Sequence, residues 1–147
     1  MKKLLILLSL TTAITTFGAD TATMNISATV LEPLNVSHNG DINFGNLIQN
    51  TTTTIDQAKT FTVHGSVGGS IHFTINDRPI KEVTQTTISK GNDTLPVYFD
   101  NIQLSSDSLT LDNSGNFTFS FKPRIYVPQN QATGTYTGAL TARVQYE

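Results

Sequence analysis

Two amino acids are missing from this chain of 147 residues: it contains no cysteine and no tryptophan. The lack of cysteine excludes disulfide bonds, thiol catalysis and thiolate metal sites. The stability of the fold must therefore come from side-chain packing or from a partner chain. Charged residues are also few, at 14%, and the formal net charge is −2. This charge balance predicts no basic surface that would attract nucleic acid or an anionic membrane.

The first nineteen residues predict a secretory signal peptide. Lys2 and Lys3 precede an apolar run at residues 4–10, and small residues follow up to Ala19. The run is too short to span a bilayer, and no later stretch is long and apolar enough to do so. We expect cleavage after Ala19 or one residue earlier. The remaining residues, 20–147, suffice for one domain with its own core and have a net charge near −4.

Most of the remaining sequence alternates apolar and polar residues over short stretches that turn residues separate. Residues 21–30 and 116–127 carry the longest patterns, with the period of a strand that buries one face. Shorter strands are predicted at residues 42–44, 60–64, 70–76, 94–99 and 108–111. No amphipathic helix is predicted, and so many short strands favour an antiparallel β-sandwich of the immunoglobulin type. A closed β-barrel is the structural alternative.

The two ends of the predicted domain both have the pattern of an edge strand. Residues 134–147 place apolar or small side chains at even positions and polar ones at most odd positions. An edge strand is a place where another chain can pair. The pattern of residues 21–30 fits either the first strand of the domain or a strand for a neighbouring copy, and Pro33 could mark a hinge.

The residue types that carry out catalysis or bind metals form no convincing site. His64 and His72 fall on neighbouring predicted strands and are expected to face solvent, without a third ligand at the right spacing. Asp107, Asp112 and Asn113 fit no calcium-loop pattern. No serine lies in a nucleophile elbow. We therefore predict no enzyme activity, no metal and no cofactor.

Both ends of the chain resemble those of bacterial pilins assembled by the chaperone–usher route. In that family a glycine stands fourteenth from the end and an aromatic residue, usually tyrosine, next to last, as Gly134 and Tyr146 do here. Residues 24–33 resemble the donor strands of cysteine-free fimbrial major subunits. Residues 34–45 and 127–138 are similar to segments of uncharacterised bacterial surface β-sandwich proteins. The absence of cysteine departs from most pilins of the type 1 kind.

The resemblance implies a structural subunit of a cell-surface pilus, or fimbria, with an incomplete immunoglobulin-like β-sandwich that strand addition completes. Such subunits pass through the periplasm, bind a chaperone and an outer-membrane usher, and form a homo-polymer by donor-strand exchange. The implied domains are a signal peptide at 1–19, a donor strand at 20–32 and a β-sandwich at 33–147. The implied donor residues are Met24, Ile26, Ala28 and Val30. The implied acceptor groove and chaperone-facing strand comprise Gly134, Tyr136, Leu140, Ala142, Val144, Tyr146 and Glu147.

The sequence leaves two alternatives to the pilus subunit open. In the first, residues 21–30 join their own sheet and the protein is a self-complete surface β-sandwich. In the second, the protein is a small carbohydrate-binding module. The absence of tryptophan and the position of most tyrosines on predicted strands disfavour that module, because it would need exposed aromatic side chains.

Overall fold

The computed structural model describes residues 20–147; the predicted signal peptide lies outside the described residues. Within this range the one helical segment is a 3₁₀ turn at Ile80–Glu82, and no helix is long and apolar enough to cross a membrane. The strands are β1 (Asn35–His38), β2 (Thr51–Thr54), β3 (Lys59–His64), β4 (Ile71–Ile75), β5 (Arg78–Pro79), β6 (Gln85–Lys90), β7 (Asp93–Leu104), β8 (Asn116–Val127) and β9 (Ala142–Tyr146).

The strands form two antiparallel sheets. The larger sheet has the order β1-β3-β8-β7-β6, with β2 pairing along β8, and the smaller has the order β5-β4-β9. In immunoglobulin-like sandwiches one sheet has the order A-B-E-D and the other contains C, F and G. Here β1, β3, β8 and β7 take the places of A, B, E and D, while β4 and β9 take those of C and F. The prediction of an all-β antiparallel sandwich is confirmed, and the chain is not a closed barrel.

The core lies between the two sheets and is built mainly from β8, β7 and β4. Phe117, Phe119 and Phe121 on β8 are fully buried, as the alternation of the sequence predicts. Phe73 on β4 meets Phe117 edge to face, with 5.9 Å between ring centroids. Such aromatic pairs stabilise a core beyond the area that they bury.

Several strand predictions need correction. The sequence does not predict the strands β2 and β6, because their threonine-rich and polar sequences show no clear apolar alternation. The strand β7 continues to Leu104, past a bulge between Asp100 and Gln103. The stretch predicted at residues 108–111 makes only an isolated bridge between Ser70 and Thr110. Residues 42–44 lie outside the strands, and residues 134–141 precede the regular strand β9.

The strand predicted at residues 21–30 is wrong for this chain taken alone. Residues 20–31, called the N-terminal arm below, belong to no strand and are exposed throughout. The exposed fractions of Met24, Ile26 and Val30 are 86%, 91% and 95%. The arm thus has the side-chain pattern of a strand but no sheet to supply its backbone hydrogen bonds.

Candidate functional site

A groove of about 860 Å³ opens between two segments of irregular chain. One wall is residues 39–49, which follow β1, and the other is residues 131–140, which precede β9. We call these the first wall and the second wall. The floor is the inner face of the larger sheet, which contributes Leu95, Val97 and Phe121.

The first wall arises because the chain leaves the larger sheet after β1. The Asn39 N–H still donates to the Thr60 carbonyl at 3.2 Å, and Gly40 follows with a φ of +120°. Among the described residues the next backbone-to-backbone bond of this segment is that of Asn50 N–H to the Val127 carbonyl, at 2.7 Å. The intervening backbone therefore has groups free to pair with an added strand.

The second wall is held against β6 by one pair of backbone bonds. Thr137 and Ser89 exchange N–H···O bonds of 2.9 and 3.0 Å. At Gly138 a Cβ atom would stand 2.9 Å from the Ile88 methyl and 3.0 Å from the Thr87 carbonyl oxygen. The wall can approach the sheet this closely only because residue 138 has no side chain.

Tyr136 fixes the start of the second wall. Its hydroxyl donates to the carbonyl of Ala132 at 2.8 Å and accepts from Gln131 Nε2 at 2.7 Å. A tyrosine that bonds back to the backbone just before strand F is the tyrosine corner of immunoglobulin-like folds. Tyr136 therefore has a structural role in shaping the groove as well as an apolar surface facing it.

The floor of the groove and parts of both walls are apolar and incompletely covered, while asparagine, threonine and glutamine side chains line the rest. The apolar side chains pack on the core with one side and remain partly exposed on the other. A contiguous exposed apolar patch of this kind marks an interaction site. The half-buried apolar residues that line it are Ile42, Phe44, Leu47, Phe61, Ile88, Tyr136 and Leu140.

The strand β9 has one free edge beyond the groove. The residues on either side of β9 have odd numbers and bond to the residues that flank β4. Asn76 N–H donates to the Thr141 carbonyl at 2.9 Å, and Glu147 N–H donates to the Ser70 carbonyl at 3.1 Å. Antiparallel pairs alternate between bonded and non-bonded positions. The intervening backbone groups therefore point away from β4, where no strand within residues 20–147 pairs with them. These groups belong to Ala142, Val144 and Tyr146.

At the far end of β9 three residues form a cluster that we call the clamp: Glu32, Ser66 and Tyr146. The Tyr146 hydroxyl accepts from Ser66 N–H at 2.7 Å and donates to the Glu32 carbonyl at 2.8 Å. Glu32 N–H donates to Ser66 Oγ at 2.6 Å. A Cβ at Gly65 would collide with that hydroxyl, and one at Gly69 would stand 2.8 Å from the ring. The clamp fixes the point where the arm leaves the domain.

A family model described as a domain of unknown function, DUF4402, matches residues 34–146. This chain belongs to the DUF4402 family. No curated protein and no solved structure matches the chain. The match contains both walls of the groove and β9, while the N-terminal arm precedes it.

The residues that the sequence singled out take different places in this DUF4402 domain. Gly134, Tyr136 and Leu140 line the groove. Ala142, Val144 and Tyr146 lie half-buried on β9, and Glu147 is exposed just after it. The arm residues Met24, Ile26, Ala28 and Val30 are exposed and lie outside the groove.

The sequence does not predict that the first wall is part of the site. The sequence predicts a short strand over residues 42–44 and assigns no role to Leu47. Their alternation with polar residues was the only available signal, and it indicates a buried face without saying what lies opposite. That they face residues 131–140 is a consequence of the tertiary fold.

The titratable residues considered for metal binding serve other purposes in the DUF4402 domain. His64 and His72 are exposed, as predicted, and His64 Nδ1 lies 3.0 Å from Asn116 Oδ1. Asp112 accepts the N–H groups of Asn116 and Ser114 at 2.9 and 2.8 Å, and these bonds lower the pKa of its carboxyl. Within residues 20–147 no three histidine or acidic side chains converge as metal ligands.

Proposed function

We propose that this protein is a structural subunit of a cell-surface pilus, in which the arm of one copy fills the groove of the next by donor-strand exchange. One observation carries the proposal: a single molecule has both an exposed strand-patterned arm without a sheet and a groove with an apolar floor, whose walls have only part of their backbone paired. Arm and groove are different surfaces, so pairing them between copies is heterologous and generates an open filament.

Strand addition accounts for both the affinity and the specificity of this joint. The free backbone groups of the first wall and of β9 offer generic main-chain hydrogen bonds. Met24, Ile26 and Val30 lie on one face of the arm and would each contribute about 1.5–3 kcal/mol by burial, with less from Ala28. Because the side chains alternate, a slip of one residue would turn the polar face of the arm into the groove.

The apolar part of the arm has the same number of residues as the later part of the second wall. Residues 24–30 of the arm and residues 134–140 of the wall each comprise seven residues. At about 3.3 Å per residue an extended segment of this size spans about 20 Å. The four apolar arm residues therefore suffice to lie along residues 134–140 of the second wall.

The geometry of the groove favours one direction for the arm. The clamp occupies the end near Tyr146, where β1 also approaches β9. The other end, the mouth, lies between the turn at residues 48–50 and the loop before Gly134, and one hydrogen bond of 2.5 Å from Gln49 Nε2 to the Gln131 carbonyl crosses it. Because the clamp already occupies one end, we place the donor's body at the mouth, and its arm then runs antiparallel to β9.

The proposal includes the partners that such a subunit needs before assembly. A monomer with its groove open exposes apolar side chains and unpaired strand edges, which are aggregation hazards. A periplasmic chaperone would fill the groove after export, and an outer-membrane usher would exchange that strand for the arm of the next subunit. The resemblance of both chain ends to chaperone–usher pilins supports these partners.

The first test changes one arm residue and compares it with its neighbour on the opposite face. Ile26→Asp places a charge on the apolar face of the arm, whereas Asn25→Asp places the same charge on the polar face. We expect Ile26→Asp to abolish fibres seen by electron microscopy and Asn25→Asp to leave them intact. Burial of an unpaired carboxylate in an apolar groove costs several kcal/mol, which accounts for the difference.

A deletion of residues 20–30 tests the two roles of the molecule separately. The truncated chain retains the groove but has no strand to donate. We expect it to form no fibres alone and to accept the arm of a full-length copy in a mixed sample, which size-exclusion chromatography would detect. Fibres formed by the truncated chain alone would refute donor-strand exchange.

A further inference from the structure

We propose that successive subunits also touch outside the joined strands, through Val67 of the donor and Ile48 of the acceptor. This second contact rests on the proposed strand exchange. It joins the loop at residues 66–68, beside the donor's clamp, to the turn at residues 48–50, at the mouth of the acceptor's groove. The partner that fits this surface is thus a second copy of the chain.

The connection between the two bodies is too short to hold them apart. Val30 would lie in the acceptor's groove, while Glu32 is held by two hydrogen bonds in the donor's clamp. Two residues of fully extended chain span at most about 7 Å. The donor's clamp must therefore lie against the acceptor's mouth.

The donor side of this contact is a fixed loop with an exposed apolar tip. Val67 is 63% exposed and adjoins Ser66 of the clamp. The loop is closed by Gly69 N–H to the Ser66 carbonyl at 3.0 Å and anchored by Gly68 N–H to the Leu111 carbonyl at 3.1 Å. The valine is therefore presented in a defined position at the point where the arm leaves.

The acceptor side is a fixed turn of similar character. Ile48 is 72% exposed. Its carbonyl accepts the Thr51 hydroxyl at 2.6 Å. Asn50, two residues further on, has a φ of +59°, and its N–H donates to the Val127 carbonyl. Neither the loop nor the turn contains a charged residue. The two aliphatic side chains can therefore meet without burying a charge.

The loop and the turn lie at opposite ends of one molecule, because the loop adjoins Tyr146 and the turn adjoins the start of the second wall. A contact between them is head-to-tail and repeats along the fibre. It would fix the angle between neighbouring subunits. Strand exchange alone, through an arm whose base was not held by the clamp, would leave that angle free.

Cross-linking tests this contact cleanly because the chain has no cysteine of its own. The full chain carrying both Val67→Cys and Ile48→Cys is assembled and treated with a short bismaleimide. We expect a ladder of covalent multimers on a denaturing gel. Each single variant should stop at dimers, and the matched pair Val67→Cys with Ile102→Cys, at the β7 bulge, should give no ladder.

A charge pair provides a second measurement. Val67→Asp should make polymers dissociate about tenfold faster, since burial of a valine side chain is worth at least that factor. Adding Ile48→Lys to Val67→Asp should restore most of the lifetime. A lifetime that neither substitution changes would overturn the second contact.

The outcomes separate this contact from the proposed function. If polymers form and Ile26→Asp abolishes them, but the Val67–Ile48 pair cross-links no better than the Val67–Ile102 pair, the second contact is wrong and strand exchange stands. If the unmodified full chain forms no polymer, the proposed function fails and the contact fails with it.

Discussion

Tyr146 connects the C-terminal strand to the base of the N-terminal arm. Its ring occupies the space that Gly65 and Gly69 leave free, and its hydroxyl ties Ser66 to Glu32. The sequence draws attention to this aromatic residue because it stands next to last. The structure adds that it holds the base of the N-terminal arm, which lies more than a hundred residues away in sequence.

The substitution Tyr146→Phe removes the hydroxyl and keeps the ring. Ser66 N–H and the Glu32 carbonyl each lose a partner, so we expect the free energy of unfolding to fall by about 1–2 kcal/mol. Urea denaturation would measure the change. The base of the arm should also become more sensitive to limited proteolysis.

Tyr126→Phe is the matched control for this substitution. The Tyr126 hydroxyl makes only a long hydrogen bond of 3.3 Å to Asn50, and the residue is 42% exposed. We expect little change in its unfolding free energy. Equal losses in the two variants would contradict a special role for the Tyr146 hydroxyl.

At the scale of elements, strands inside a sheet and strands without one look alike in sequence. The alternation over β8 and that over residues 21–30 have the same period, yet β8 pairs with three strands and the arm lies exposed. Alternation reports which side chains share a face, because it is a property of one strand. Pairing depends on which other backbones are available, and the pattern carries no information on that.

The strands β2 and β6 illustrate the converse. Their threonine-rich or polar sequences give no apolar face, yet both pair along their whole length with β8 and β7. Their partners' main chains supply the ladder and their side chains remain half-exposed. Tertiary context thus overrides a weak local preference.

The second wall depends on the close approach of Gly138 to β6. We expect Gly138→Ala to destabilise the domain by about 1–3 kcal/mol, because its Cβ would press on the Thr87 backbone, which cannot move freely. The same substitution should weaken binding of a peptide with the sequence of residues 20–31. Thr135→Ala on the same wall is exposed and should change neither quantity.

At the scale of the whole molecule, the N-terminal arm and the groove of one copy lie apart. Residue 34 lies beside Gly65 near the end of β9, while the first wall lies beside residues 131–140. The first wall therefore runs antiparallel to the second wall. An arm that entered its own groove would have to reverse direction at the clamp, where both backbone groups of Glu32 are already bonded.

Grafting a copy of residues 21–31 after Glu147 through a short flexible linker tests this geometry. An arm antiparallel to β9 begins near Tyr146, so a short linker reaches it. We expect a monomer whose unfolding temperature rises by at least about 10 °C, because several apolar side chains become buried. The same graft with aspartate in place of the isoleucine copied from Ile26 should show no gain.

A graft that gains no stability would favour a self-complete domain over an incomplete one. A gain that appears only with a long linker would instead indicate an arm parallel to β9. Strand exchange would then stand, but the second contact through Val67 and Ile48 would lose its basis.

The sequence by itself determined the fold class, the buried face of β8 and the apolar face of the arm. These features depend on the order of residues within one strand, so a local pattern suffices to predict them. Only the tertiary structure decided that the first wall faces the second across a groove, that Tyr146 clamps Glu32, and that the arm is unpaired. Which backbone groups stay free depends on how all the strands of the domain pair, and no single stretch of sequence contains that information.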